Sequence, residues 1–205
     1  MPEPNNNVFG DYPRLSLFTE TPNQPGKRAR MNFGTFNHNP RITVFSGIPS
    51  DKEPITAPMD IPTALMFLDS FEKIVRGENG GKGSLGCYRG EFKDGKNTGN
   101  KLHMSDIFFG KDEEGKVWIL LKKEGKPEIQ FYFGLSAYHT LRISGGQLTE
   151  GDTSCFMALG HIRALRKVVL DLADKPMIKP AGQPGQSAGR QAETSSASAF
   201  SDLGF

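Results

Sequence analysis

Cysteine is scarce in this chain: Cys87 and Cys155 are the only two in 205 residues. Two thiols cannot build the disulfide framework of a small secreted domain, and their spacing fits no metal finger, so a reducing compartment is expected. Long hydrophobic runs are missing as well. No stretch approaches the roughly 18 apolar residues of a membrane helix, and Met1 to Asn7 shows no basic start followed by an apolar run. Neither a membrane span nor a signal peptide is therefore expected. Nor is there an excess of one charge, since Lys+Arg 25 stand against Asp+Glu 23. A uniformly basic surface is thus excluded, and any nucleic-acid site must come from local placement of charge. Hydrophobic residues reach only 36%, while Gly 24 and Pro 14 are generous. That composition suits a smaller core carrying flanking segments.

Catalytic signatures are lacking too. His38, His103, His139 and His161 are scattered, with no HxH or HxxxH pattern and no cysteine partner, so no metal is expected. No GxSxG frames a serine. The stretch Gly77-Glu-Asn-Gly-Gly-Lys82-Gly83-Ser84 resembles a phosphate loop but is one residue short and follows a helix instead of a strand. The acidic run Asp112-Glu113-Glu114 sits beside Gly115, where a solvated hairpin turn accounts for it. Neither an enzyme nor a bound cofactor is expected.

What is there is a patterned middle. Residues 1–40 hold Pro2, Pro4, Pro13, Pro22 and Pro25 without periodicity and read as a flexible basic-aromatic arm. Residues 177–205 are rich in Gly, Gln, Ser and Pro and read as a disordered tail. Between them, residues 41–176 are expected to form a single domain. Arg41 to Ile48 reads as a strand. Asp60 caps a helix with Pro62 in its first turn and Ala64, Phe67, Leu68, Phe71, Ile74 and Val75 on one face, ended by Gly77. Gly77 to Gly83 reads as a flexible connection. Four strand-like segments follow, Ser84 to Phe92, Leu102 to Phe109, Lys116 to Lys123 and Pro127 to Phe133, with turns at Asp94-Gly95, Glu114-Gly115 and Glu124-Gly125. Such short connections predict an antiparallel meander. Alternation puts Val117, Ile119 and Leu121 on one face and Trp118 and Lys122 on the other, and likewise opposes Ile129, Phe131 and Phe133 to Gln130 and Tyr132. A second helix, about Thr153 to Asp174, carries the stripe Cys155, Ala158, Leu159, Ile162, Leu165, Val169 and Leu172. The fold class is α+β: an antiparallel meander with amphipathic helices on one face, an OB-like barrel being the runner-up.

The polar face of this sheet combines rings and cations. Tyr88, Trp118 and Tyr132 offer stacking surfaces, with Arg89, Lys93, Lys96, Lys101, Lys122, Lys123 and Lys126 around them. Single-stranded nucleic acid needs that pairing, because flat rings stack unpaired bases and cations follow the phosphates. Rings in a core or dimer interface, with lysines solvating hairpins, are the competing reading. Lys27, Arg28, Arg30, Phe33, Phe36 and Arg41 form a basic-aromatic segment suited to wrapping a strand; nuclear import and a solubilising tail are the alternatives.

On these residues the chain resembles a single-stranded DNA-binding protein of tailed bacteriophages. Over about residues 84–175, the meander followed by a long amphipathic helix is similar to the Whirly and PC4-like family, whose members bind single strands as dimers or higher oligomers. The linker running into Phe200-Ser201-Asp202-Leu203-Gly204-Phe205 is similar to the tails of bacterial and phage single-strand binders, whose acidic tip docks to replication enzymes. Here only Glu193 and Asp202 stand where that family has a dense acidic run. The resemblance implies sequence-tolerant binding of single-stranded DNA, coating replication or transcription intermediates in the cytoplasm of an infected bacterium. It also implies partner docking through Asp202, Leu203 and Phe205. Homo-oligomers are expected, built through the helix bearing Leu165 and Val169. The alternative function is a protein-interaction module that regulates a polymerase.

Overall fold

Short alternating segments broken by turn residues pair into two antiparallel sheets, and the two amphipathic segments become helices. The computed structural model describes residues 9–20, 27–93, 96–136, 138–144 and 148–175. In the first sheet, β3 (Arg30–Phe36) pairs with β4 (Asn39–Phe45), which pairs with β5 (Ile55–Pro58). Along the other side of β3 lie β1 (Phe9–Asp11) and β2 (Leu17–Phe18), separated by one 3-10 turn at Pro13–Leu15. The β3–β4 hairpin closes through Asn37 and His38, whose φ angles are both positive, 48° and 63°. That is the two-residue turn whose twist matches paired strands. Met31, Phe33, Ile42 and Val44 share the inner face and are buried.

Much of the expected arm is therefore part of a sheet. Ala29, Met31 and Phe33 are core residues, and an extended flexible 1–40 does not describe them. Apolar side chains on alternate positions of β3 offset the ordering entropy that the prolines and asparagines around them suggested could not be met.

α1 (Ile61–Arg76) begins as expected, with the Asp60 carboxylate accepting from the Thr63 N–H at 2.7 Å and Ala64, Phe67, Leu68, Phe71 and Val75 buried. Its far end is finished differently from a left-handed glycine cap. Gly77 is extended, with φ −78°, and the buried Lys111 ammonium instead donates to the Val75 and Gly77 carbonyls. The segment after it is not a loose connection. Gly80 N–H donates to Asp112, Gly81 accepts from Lys111, and the next strand starts at Lys82.

The second sheet is the expected meander, in the order β6 (Lys82–Lys93), β7 (Lys96–Lys111), β8 (Val117–Lys122), β9 (Ile129–Tyr132). Gly115 and Gly125 turn the chain with φ of 82° and 72°; the Asp94-Gly95 turn lies outside the described residues. α2 (Glu150–Ala173) opens with a capping box, Thr149 and Asp152 each bonding the other's backbone. Its first turn presses on the β7–β8 turn so closely that a Cβ at Gly151 would collide with the Glu114 carbonyl. The Ser154 hydroxyl accepts from Val117 N–H there.

Both helices lie on the inner faces of the two sheets, closing one continuous core. Phe67 and Phe71 meet Phe109 at 5.1 and 5.2 Å between ring centroids, and Phe71 meets Phe133 at 5.6 Å. Arg166 on α2 bridges Asp69 and Glu72 on α1 at 2.7 and 2.8 Å. Leu165 and Val169, expected to join protomers, are buried within this core beside Ile42 and Phe67. The sheets also touch directly, with the Ser105 hydroxyl donating to the Thr56 carbonyl of β5 at 2.8 Å. The architecture is α+β, made of two open antiparallel sheets and two helices, not a closed barrel. An antiparallel run of strands followed by a helix occurs twice in succession. No helix among the described residues is long and apolar enough to cross a membrane.

Candidate nucleic-acid interface

Because the helices take the inner faces, neither outer face is covered by a helix, although Asn32 and Thr43 on that of the first sheet are buried. On the second sheet the ladder register arranges this face in rows. Lys82, Gly110, Trp118 and Tyr132 are successive cross-strand partners. The indole rests against Gly110, where an added Cβ would lie 2.8 Å from the ring, so the missing side chain makes its seat. The next row is Ser84, Phe108, Leu120 and Gln130, and Gln130 donates to the Tyr132 hydroxyl at 2.8 Å. The third is Gly86, Asp106 and Lys122.

Beyond it the pairing of Cys87 with Ser105 skips Met104, so that Tyr88 stands opposite His103. This bulge turns both rings outward together, 5.2 Å between centroids, and Tyr88 leans over Gly86. His103 Nε2 lies 3.0 Å from Asp106 Oδ1. Tyr88 is 56% exposed and Tyr132 41%, with Trp118, Phe108 and Leu120 half-buried between them. The three rings named from the sequence are thus brought to one face, and the structure adds His103, Phe108, Leu120 and Lys82. His103 has no sequence signal, because the bulge shifts the alternation that would reveal it.

The cations divide into two sets. Arg89, Lys93, Lys96 and Lys101 are exposed along β6 and β7 where these strands run past the end of β8 as a two-stranded ribbon. Lys93 reaches Glu91 at 3.6 Å, and Glu91 is also held by Asn100 and Thr98, which with them keep its carboxyl below the usual range. None of the described ion pairs involves Lys82, Arg89, Lys96 or Lys101. Lys122 is exposed but paired with Glu128, which raises its affinity for its proton. Lys123 is half-buried at the end of β8.

Lys126 departs from expectation. Its side chain is only 17% exposed and its ammonium pairs with Asp51, whose side chain is 13% exposed, while also donating to the Glu53 carbonyl at 3.0 Å. This lysine pins the β8–β9 turn to the loop before β5 and holds the Asp51 carboxyl below its ordinary range. A cation so committed is not available to phosphate. Phe33 is a second correction: at 5% exposure it is a core ring and cannot receive a base.

The remaining members of the expected arm lie on or beside the first sheet. Arg30 is exposed at the start of β3, Lys27 and Arg28 are exposed just before it, and Phe36 and Arg41 are half-buried on its outer face, the guanidinium 5.9 Å from the ring. Phe18 and Phe45, unmarked in the sequence reading, are exposed there too. Their signal was the strand phase: each neighbours a buried residue, Leu17 and Val44. Asp202, Leu203 and Phe205 lie outside the described residues. Among the described residues no group of three or more His, Cys, Asp or Glu is arranged to hold a metal.

No protein-family model matches the chain, and neither a curated protein nor a solved structure matches it.

Proposed function

We propose that the protein binds single-stranded DNA with little sequence selectivity, on the outer face of the β6–β9 sheet. One observation carries this reading: Trp118 and Tyr132 are direct cross-strand partners on an uncovered face that also presents Tyr88. Each ring can take an unpaired base, worth about 1–3 kcal/mol. Rings accept any base, so binding of this kind is sequence-tolerant. Lys82 at the end of the Trp118 row and the basic ribbon beyond Tyr88 supply charge for the phosphates. Paired bases hide their faces from the Trp118 and Tyr132 rings, so duplex binds less well. The likeness to Whirly and PC4-like proteins rested on a meander followed by a helix. That order of elements occurs twice here, which supports the reading.

Fluorescence anisotropy with labelled oligo-dT and with duplex of equal length tests it. Replacing Trp118 and Tyr132 singly by leucine, which keeps apolar volume but removes the aromatic face, should weaken oligo-dT binding about tenfold to a hundredfold. Lys82→Ala should make the salt dependence shallower, because fewer counterions are released. Equal affinity for duplex, or unchanged affinity in both leucine variants, would overturn the proposal.

A further inference from the structure

We propose that the Trp118–Tyr132 platform continues across the junction of β9 with β2 onto the row Phe18, Arg30 and Phe45, so that one strand runs over both sheets. The inference rests on the reading of the β6–β9 face and lengthens that site. β2 lies against β9, so an edge strand of the first sheet meets an edge strand of the second. Charge marks the same neighbourhood. Lys116, just before β8, is held protonated by Glu150 first and more weakly by Glu20, which follows β2. Leu17 and Phe131 are both buried in the shared core. Their neighbours Phe18 and Tyr132 therefore point away from it, 52% and 41% exposed. Phe18 stands opposite Arg30, and Arg30 opposite Phe45. Trp118, Tyr132, Phe18, Arg30 and Phe45 thus come from five neighbouring strands. At about 4.8 Å between strands the line from β8 to β4 spans about 20 Å, the length of about six stacked nucleotides.

The occupant is argued from charge and from continuity with the Trp118 row. Lys27, Arg28 and Arg30 are exposed where the chain enters β3, and none takes part in a described ion pair. A strand leaving Tyr132 over Phe18 brings its phosphates to these three cations. The Arg30 guanidinium lies 4.9 Å from the centre of the Phe45 ring, and a guanidinium plane receives an unpaired base as a ring does. A second copy of this chain would instead set positive residues against positive ones. The path is confined to this end of the first sheet. Farther along the same face Asn32 and Thr43 are buried, and the Ser16 hydroxyl donates to Asn32 Oδ1 at 3.0 Å. The strand therefore crosses one row and does not spread over the sheet.

Length dependence, measured on the full chain, tests the continuous path. The probes are labelled oligo-dT of about four and about twelve nucleotides, lengths that bracket single-strand site sizes. The short probe fills the Trp118 row, and the long one reaches Phe45. Trp118 is the sole tryptophan, so its emission reports the β6–β9 face, while sedimentation counts bound strands. The native protein should bind one long strand per protomer. Phe18→Leu/Phe45→Leu should weaken the long probe about tenfold to a hundredfold and leave the short probe and its quenching of Trp118 unchanged. Arg30→Gln, which keeps both rings, should weaken the long probe and make its salt dependence shallower, again without moving the short one. It decides alone should the double variant melt early. Unchanged affinity for the long probe in a folded variant, equal weakening of both probes, or two long strands per protomer would overturn the continuous path. Long-probe binding that depends on Phe18 and Phe45 yet leaves Trp118 unquenched would instead refute the β6–β9 reading.

Discussion

Replacing Lys111 by methionine tests how the α1 terminus is built. The side chain is 6% exposed, and its ammonium donates to the Val75 carbonyl at 3.2 Å and to that of Gly77. These carbonyls form the negative end of α1, where a cation is favoured by about 0.3–2 kcal/mol. Methionine fills the same space but donates nothing. The acceptors are backbone groups that the substitution cannot remove, so both lose their charged donor. The Val75 carbonyl is buried, and left unpaired it costs about 1–3 kcal/mol, whereas Gly77 is exposed and water replaces the lost donor there. Against this stands the relief of no longer burying an ammonium, several kcal/mol for an ion taken from water. Among the described residues the Cys155 thiol also points at Val75 O, at 3.9 Å, too long to substitute. With the ammonium's desolvation only partly relieved at this half-open helix end, the balance is a loss of about 1–2 kcal/mol, which for a domain of this size lowers Tm by roughly 3–8 °C. Thermal unfolding by circular dichroism, with exposed Lys73→Met as the control, measures it. A Tm within about 2 °C of the native protein would mean that desolvation cancels the hydrogen bonds, and that Lys111 does not hold the helix end.

His161 and Cys87 give two further tests. Burial lowers the His161 pKa below 6.5, its bond to the Met157 carbonyl opposing this only in part. The folded state therefore binds fewer protons than the unfolded one, so stability is full above about pH 6.5 and falls as pH drops below it, by at most about 1.4 kcal/mol per pH unit. Urea unfolding between pH 7.5 and 5 should show that slope, and His161→Phe should flatten it; a native protein equally stable across the range would contradict the burial argument. Cys87 is pushed up to about 11, by burial first and by Asp106 second. Only about one thiol in a thousand is ionised at pH 8, so modification by a disulfide reagent should wait on unfolding, and rapid reaction in the native protein would refute its buried placement.

The parts of the fold legible in the sequence were those with long, regular patterns. α1 carried helical periodicity and a side-chain cap at Asp60, α2 carried periodicity from about Thr153 although it starts at Glu150 behind a Thr149 cap that the sequence reading missed, and β8 carried strict alternation that the structure reproduces residue by residue. The first sheet was hidden by its own brevity. β1 and β2 are three and two residues long, too short to show a period of two. Pro40 stands inside β4, where proline argues against a strand, and the hairpin before it turns on Asn37-His38 without glycine. Those local signals outweighed Met31 and Phe33. For the site, alternation alone placed Trp118 and Tyr132 on the outer face, but register decides neighbours, and register came from the bulge at Met104 and the turns. Charge was the least legible property. Lys126 and Arg89 look alike as letters, yet one is locked to Asp51 and the other is exposed on the ribbon.

Titration of the protein with oligo-dT, following Trp118 emission at several salt concentrations, measures base stacking on the β6–β9 face itself. A base stacked on the Trp118 face should quench the indole saturably, the affinity should fall linearly with salt on logarithmic axes as counterions are released, and duplex of the same length should quench weakly. Emission unchanged while oligo-dT is demonstrably bound, or quenching by duplex as strong as by the single strand, would contradict the account.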